Sequence, residues 1–425
     1  MKAIPHTSSF LHSILLAACA ALLCAVALPQ TFAQGFSSGS DGSFGPMNIT
    51  NDTTLNLPAN GIFNCTTISV AEGATLRFNR NVLNTPVYLL ATSNVVIDGT
   101  IDVSGSASPG NFAGGPSGPG GFDGGSGGFS TVSQTLPGGA GLGPGGGKSG
   151  DGYFGSGMAA GGGAYGTQPD NYLDSKDGQT YGSLLLIPLI GGSGGGGVDG
   201  NKNAGGGGGG GAILIASTTI IRLNATAVIS SRGGAAYYDG GATGQSGNGG
   251  SGGAIRLVAP RVYGTGRLNV LGSGYVALDN GFLSGAGRIR VDSILRYEPT
   301  NAAQDNIGFT FTPSAVASVG SAMTVFPPNT PRLDILQAAG TAIPEGTNAP
   351  VRVELPFGSN TNQTVVVQAR NFNTNVLVRV VLTPASGDPL SFDSQINNQA
   401  ANPAQVTVPV TLPINTLVTV NVWTR

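Results

Sequence analysis

The chain has 425 residues with 19 Lys+Arg against 21 Asp+Glu, a formal net charge of −2, so it lacks the basic surface that nucleic-acid binding requires. Charged residues make up 9% of the sequence, where ordinary globular domains carry about 25%. Glycine occupies 72 positions, yet 40% of the residues are hydrophobic, enough to fill a core and to exclude disorder throughout.

Lys2 and a polar start lead into an apolar run from Ile14 to Leu28, and Thr31-Phe32-Ala33 places small residues at the cleavage positions before Gln34. This is the pattern of a secretory signal peptide over residues 1–33; the run falls short of the about 20 residues that a spanning helix needs. The expectation is an exported protein, secreted or held at the cell surface, with no transmembrane segment in its mature part. Loss of the leader removes both histidines, His6 and His12, together with Cys19 and Cys24. Serine–histidine and cysteine–histidine catalysis are then ruled out, as is a histidine-bound metal. Cys65 is left without a disulfide partner and is expected as a small buried apolar residue.

Residues 34–61 read as a polar cap segment, followed by Ile62–Val70 and the alternating Ala74–Phe78. Four later stretches echo one another: Val87-Tyr88-Leu89-Leu90-Ala91, Ala212-Ile213-Leu214-Ile215-Ala216, Ala254-Ile255-Arg256-Leu257-Val258-Ala259 and Arg288-Ile289-Arg290-Val291. After each of the first three come a second apolar stretch, a small bend and a third stretch. The bends read Asp98-Gly99-Thr100, Asn224-Ala225-Thr226 and Gly264-Thr265-Gly266. Repetition of strand, bend and strand points to coils that stack and share one core, since one coil cannot bury its own apolar face. Val87, Ala212, Ala254 and Arg288 are expected to begin adjacent parallel rungs.

Glycine-rich inserts leave these copies at 105–211 and 233–253, and both should emerge on the same side. The longer one, with its unbroken run Gly205–Gly211, is either a flexible loop or a set of extended chains bonded side by side, for which glycine allows close approach. Phe112, Phe122, Phe129, Tyr153, Phe154, Tyr165, Tyr172 and Tyr181 favour folding back onto the stack. Motifs in such sequence need their spacing checked. Gly147-Lys148-Ser149 resembles the end of a phosphate loop, but Leu142 stands where the leading glycine belongs, so no nucleotide site follows. Asp199-Gly200-Asn201-Lys202-Asn203 starts like a calcium loop and then fails, with Ala204 at the turn and Gly210 where a bidentate Glu is needed; Asp199 remains a weak calcium candidate.

From 300 to 425 glycine thins and short strands recur, as at Val351–Leu355, Thr364–Val367, Val376–Val380, Val406–Leu412 and Leu417–Trp423, the texture of an antiparallel β-sandwich. The fold expected is therefore all-β: a parallel β-helix over 62–299 with glycine-rich insertions, then a sandwich.

The alternation of Val95–Val103 puts Asp98 and Asp102 outside, and Arg222, Arg256 and Arg261 lie on neighbouring coils. Paired carboxylates suit glycoside hydrolysis, and acids with an arginine base suit a polysaccharide lyase; solvated ladder residues are the plainer alternative. Arg288 and Arg290 are expected to face solvent or the sandwich. The glycine-led strand starts, Gly-Thr bends and glycine-rich loops resemble those of secreted bacterial parallel β-helix proteins, pectate-lyase-like and adhesin-like. No catalytic motif of their enzymatic branch matches here. The resemblance implies a non-catalytic extracellular or cell-surface structural or adhesive protein binding polysaccharide or extracellular matrix, with a β-helix lyase or hydrolase as the alternative.

Overall fold

The computed structural model describes residues 35–110, 112–130, 135–150, 160–169, 176–198, 204–237, 247–274, 284–295, 308–312, 314–347 and 350–424. The expected signal peptide and Asp199 lie outside them. Ser37–Arg425 form one compact unit. Its regular elements, among the described residues, are all strands.

The chain opens with β1 (Gly45–Ile49), β2 (Thr53–Asn56), β3 (Ile62–Val70) and β4 (Thr75–Asn79), and the first copy supplies β5 (Val87–Ala91), β6 (Val95–Ile97) and β7 (Thr100–Asp102). A hairpin, β8 (Phe129–Ser130) and β9 (Thr135–Leu136), interrupts the insert. The second copy gives β10 (Ala212–Ser217), β11 (Ile220–Leu223) and β12 (Val228–Ser230); the third gives β13 (Ala254–Val258), β14 (Arg261–Gly264) and β15 (Arg267–Asn269). β16 (Arg288–Asp292), β17 (Thr310–Phe311) and β18 (Val316–Gly320) follow.

Like strands pair with like, all parallel. β5, β10, β13, β16 and β18 are neighbours in that order within a ten-stranded sheet, to which β6, β11 and β14 also belong. β7, β12, β15 and β17 join β4 and β2 in a six-stranded sheet. Ala212 faces Ala254 and Ala254 faces Arg288, residue for residue as the echo predicts. Val87 faces Ile213 instead of Ala212. The one-residue offset has a simple cause: it lays Val87 and Leu89 over Ile213 and Ile215, which lie over Ile255 and Leu257, then Ile289 and Val291, all within one apolar cluster. Because side chains alternate between faces, the other register would turn the first copy inside out. Parallel pairing runs on to Gly320, beyond residue 300 where the texture of the sequence changes.

The described parts of the glycine inserts pack chain against chain, and Gly205–Gly211 sits among six such segments. Its N–H groups donate in three directions: Gly206 and Gly209 to Gly125 and Phe122, Gly207 and Gly210 to Asn248 and Ser251, Gly208 and Gly211 to Ser106 and Val103, all at 2.8–3.1 Å. Its carbonyls accept from three more: Gly206 and Gly209 from Gly115 and Gly118, Gly207 and Gly210 from Gly195 and Gly192, Gly208 from Gly234. Each direction recurs every third residue, the period of a polyproline II helix, whose backbone makes no bonds of its own and is free to bond outward. A Cβ on any residue of this run would come within 1.9–2.6 Å of its nearest neighbouring atom. The packing therefore requires glycine at each of these positions.

Beyond Gly320 the pairing turns antiparallel. β19 (Arg332–Ala338), β20 (Thr341–Ala342), β21 (Asn362–Arg370) and β24 (Ala404–Thr411) form one sheet; β22 (Asn375–Pro384), β23 (Leu390–Asn397) and β25 (Val418–Thr424) form another. Both bury valines in one cluster, including Val367, Val378, Val380 and Val408. The expected strand at Val351–Leu355 pairs with neither sheet; Pro350 and Pro356 bound this short and mostly exposed piece. Residues 385–388 hold the glycine insert, with Gly387 N–H donating to Gly138 O and Ser386 Oγ to Pro137 O, both at 2.8 Å.

Candidate functional site

Asp98 and Asp102 fall on the outer side as expected, since Ile97, Ile101 and Val103 fill the core. Neither carboxylate is uncommitted. Asp98 Oδ1 accepts from Asn224 Nδ2, and the Asp98 carbonyl accepts from Thr226 Oγ1 at 2.7 Å, so successive bends are stitched together. Asp102 Oδ1 accepts from Ser104 N–H at 3.0 Å, and its Oδ2 lies 3.8 Å from Arg77 Nε. Among the described residues the two acids share no partner.

Arg256 corrects the sequence reading most sharply. Its register neighbours run Tyr88, Leu214, Arg256, Arg290, Ser318 across the outer face of β5, β10, β13, β16 and β18. Alternation places this row outside, but residues 321–326 cover it. Arg256 is 1% exposed and Asp292 0%. Arg256 Nη2 donates to Asp292 Oδ2 at 3.2 Å and to the carbonyls of Ala322 and Thr324 at 3.3 and 2.8 Å. Arg290 Nη2 donates to Asp292 Oδ1 at 2.6 Å, and Ala322 N–H reaches the same oxygen at 3.0 Å. Phe326 closes the cover on Tyr88, ring centroids 5.3 Å apart. Burial lowers the Arg256 pKa, an effect that the Asp292 carboxylate opposes. Arg256 cannot serve a substrate from this position. Arg290 faces neither solvent nor the antiparallel sheets, and Arg288 lies over the Tyr165 ring at 5.5 Å and donates Nε to Tyr181 O at 3.0 Å. The missed acid, Asp292, had a signal: it sits two residues after Arg290 and so on the same face of the strand.

Arg222 and Arg261 behave differently. Arg222 stands opposite Tyr263 in the ladder, and the Arg261 guanidinium lies 5.1 Å from the centre of the Tyr263 ring. Both are half-buried. Among the described residues no carboxylate pairs with either, and Nε of each is buried without a hydrogen-bond partner. Arg261 thus lies over the Tyr263 ring, and Arg222 stands beside Tyr263 on the neighbouring strand.

A depression of about 440 Å³ lies elsewhere, lined by Arg80, Asn84, Phe122 and Asp123 among others. Its polar groups serve the fold: Arg80 Nη1 bonds Asp123 Oδ1 at 2.5 Å and Ser117 Oγ at 2.8 Å, and Asn84 Nδ2 donates to Gly121 O at 2.6 Å. It fastens the glycine insert to the loop after β4. Cys65 is buried as expected, and desolvation pushes its thiol up to about 11. Among the described residues, no three His, Cys, Asp or Glu side chains converge to hold a metal ion, and no helix is long and apolar enough to cross a membrane. No family model, curated protein or solved structure matches this chain.

Proposed function

We propose that the protein is a non-catalytic extracellular scaffold: a parallel β-helix solenoid, stiffened by the glycine bundle and followed by a β-sandwich, that binds acidic polysaccharide through Arg222, Arg261 and Tyr263. The observation that carries this reading is a pair of half-buried arginines at Tyr263, Arg261 over its ring and Arg222 opposite it in the ladder, with no carboxylate partner among the described residues. Guanidinium groups recognise carboxylates through paired hydrogen bonds, and an aromatic face supports a sugar ring, so uronic acid units fit this patch. Lyase or hydrolase chemistry needs acids beside the substrate, and Asp98 and Asp102 are both engaged with the chain itself.

The test is affinity electrophoresis through gels containing polygalacturonate, alginate or neutral glucan, together with assays for unsaturated or reducing-end products with and without calcium. Retardation by the acidic polymers alone is expected, weakened about tenfold by Arg222→Ala with Arg261→Ala, two charge-assisted contacts being involved. Turnover that disappears in Asp102→Asn would replace this reading with the enzymatic one.

A further inference from the structure

Residues 350–356 read Pro-Val-Arg-Val-Glu-Leu-Pro, a pattern symmetric about Val353: proline at both ends, an apolar residue inside each, then opposite charges either side of the centre. The segment belongs to no sheet. Among the described residues, no backbone hydrogen bond engages Val351 to Leu355. Val351 is 45% exposed and Leu355 40%, while Arg352 and Glu354, 2.9 Å apart, are 83% and 75% exposed. A β-patterned strand with unpaired backbone groups is a template for another strand, and natural proteins usually blunt such an edge.

We propose that this segment pairs antiparallel with the same segment of a second copy of the chain, around a twofold axis through Val353. In that register Arg352 of each copy faces Glu354 of the other, Val351 faces Leu355, and Val353 faces itself. A twofold contact must be complementary to itself, and opposite charges directly across a ladder attract where like charges repel. With Val353 as a bonded pair, the ladder bonds fall on Val351, Val353 and Leu355. Both prolines then occupy positions that need no N–H, and they end the ladder on either side. A register shifted by two residues loses both charge pairs, sets Arg352 or Glu354 against its own like charge and leaves the other charged residue facing a proline, so the symmetric pairing is the favoured one. A short two-stranded contact is weak alone, and it gains strength where many copies are held close together. The pairing stands independently of the polysaccharide reading.

Sedimentation velocity of the full chain over a concentration series tests the pairing. Concentration-dependent dimers are expected, with association about tenfold weaker in Arg352→Glu and in Glu354→Arg, because each swap sets like charges opposite one another. An equal mixture of these two single variants should recover dimers, since each then faces its complement. Recovery on mixing cannot come from the pair within one chain. Val353→Cys should give a disulfide-linked dimer under mild oxidation, whereas Val351→Cys, which faces Leu355, should not. A chain that stays monomeric throughout with no cross-link at Val353→Cys overturns the proposal, as does a mixture that associates no better than its components.

Discussion

Asp292 and Asp393 each receive arginine guanidinium groups, yet they sit in opposite surroundings. Asp292 is fully buried between Arg256 and Arg290 under residues 321–326, whereas Asp393 is 42% exposed and meets Arg379 across β22 and β23 with N–O distances of 2.6 and 2.8 Å. Removing a charge from water costs several kcal/mol, returned only where the burial is fully compensated; a surface pair neither incurs that cost nor gains much. The parallel region thus depends on its charges being complete, and the antiparallel region does not. The same contrast holds for backbone. The parallel region buries bare glycine chains through hydrogen bonds, while the antiparallel sheets bury valine side chains.

Breaking the buried cluster should have the largest effect. Asp292→Asn keeps the shape and removes the negative charge, leaving two buried guanidinium groups without a counterion. The expected loss is about 3–5 kcal/mol of stability, read as a lowered midpoint in urea or thermal unfolding. A change below about 1 kcal/mol would mean that water reaches Arg256 and that the cover over it is loose.

The sequence made the parallel strands legible because apolar alternation and register are one fact: Ile213, Ile255 and Ile289 must stack for the sheet to have a continuous buried face. The offset of Val87 was equally present in the pattern, but aligning the copies by their first residue hid it. The burial of Arg256 was not legible. Alternation tells inside from outside within a strand and carries no information about a cover formed by residues 321–326, more than sixty positions away. The glycine insert was half legible. Its aromatic residues signalled folding, but composition could not select bundle over loop, because the partners of Gly205–Gly211 come from six separate segments. At Val351–Leu355 the strand pattern was wrongly read as part of a sheet. For Arg222 and Arg261 the sequence supplied the residues and the structure supplied their shared neighbour, Tyr263.

Glycine substitutions sharpen the backbone half of the comparison at intermediate size. At Gly208 a Cβ would meet the Pro116 carbonyl oxygen, which is fixed in the bundle. Gly208→Ala should cost about 1–3 kcal/mol as overpacking and raise amide exchange at Gly115, Gly118 and Gly234, whose carbonyl partners lie on the run. Gly387, in the antiparallel region, has open space around its Cβ position and a φ of +92°. Gly387→Ala should cost about 1 kcal/mol from the backbone conformation alone, with exchange raised at its own turn and at its contact with Gly138 but not within Gly205–Gly211. Equal exchange patterns for the two variants would remove the distinction between a packed and an exposed glycine.

The smallest effect belongs to the exposed pair. Asp393→Asn removes the partner of Arg379, but both side chains already reach water, 36% and 42% exposed, so the freed guanidinium is solvated again rather than stranded. The expected loss is about 0–1 kcal/mol. It should shrink further as salt is raised from 0.01 M to 1 M, over which the screening length falls from about 30 Å to about 3 Å. The Asp292→Asn loss should change little over the same range, because mobile ions do not enter the space between Arg256 and Arg290. Measuring both variants at the two salt concentrations therefore separates burial from charge as the cause. If the two losses fell in parallel with salt, the Asp292 cluster would have to be open to solvent, and the cover of residues 321–326 would not be what holds it together.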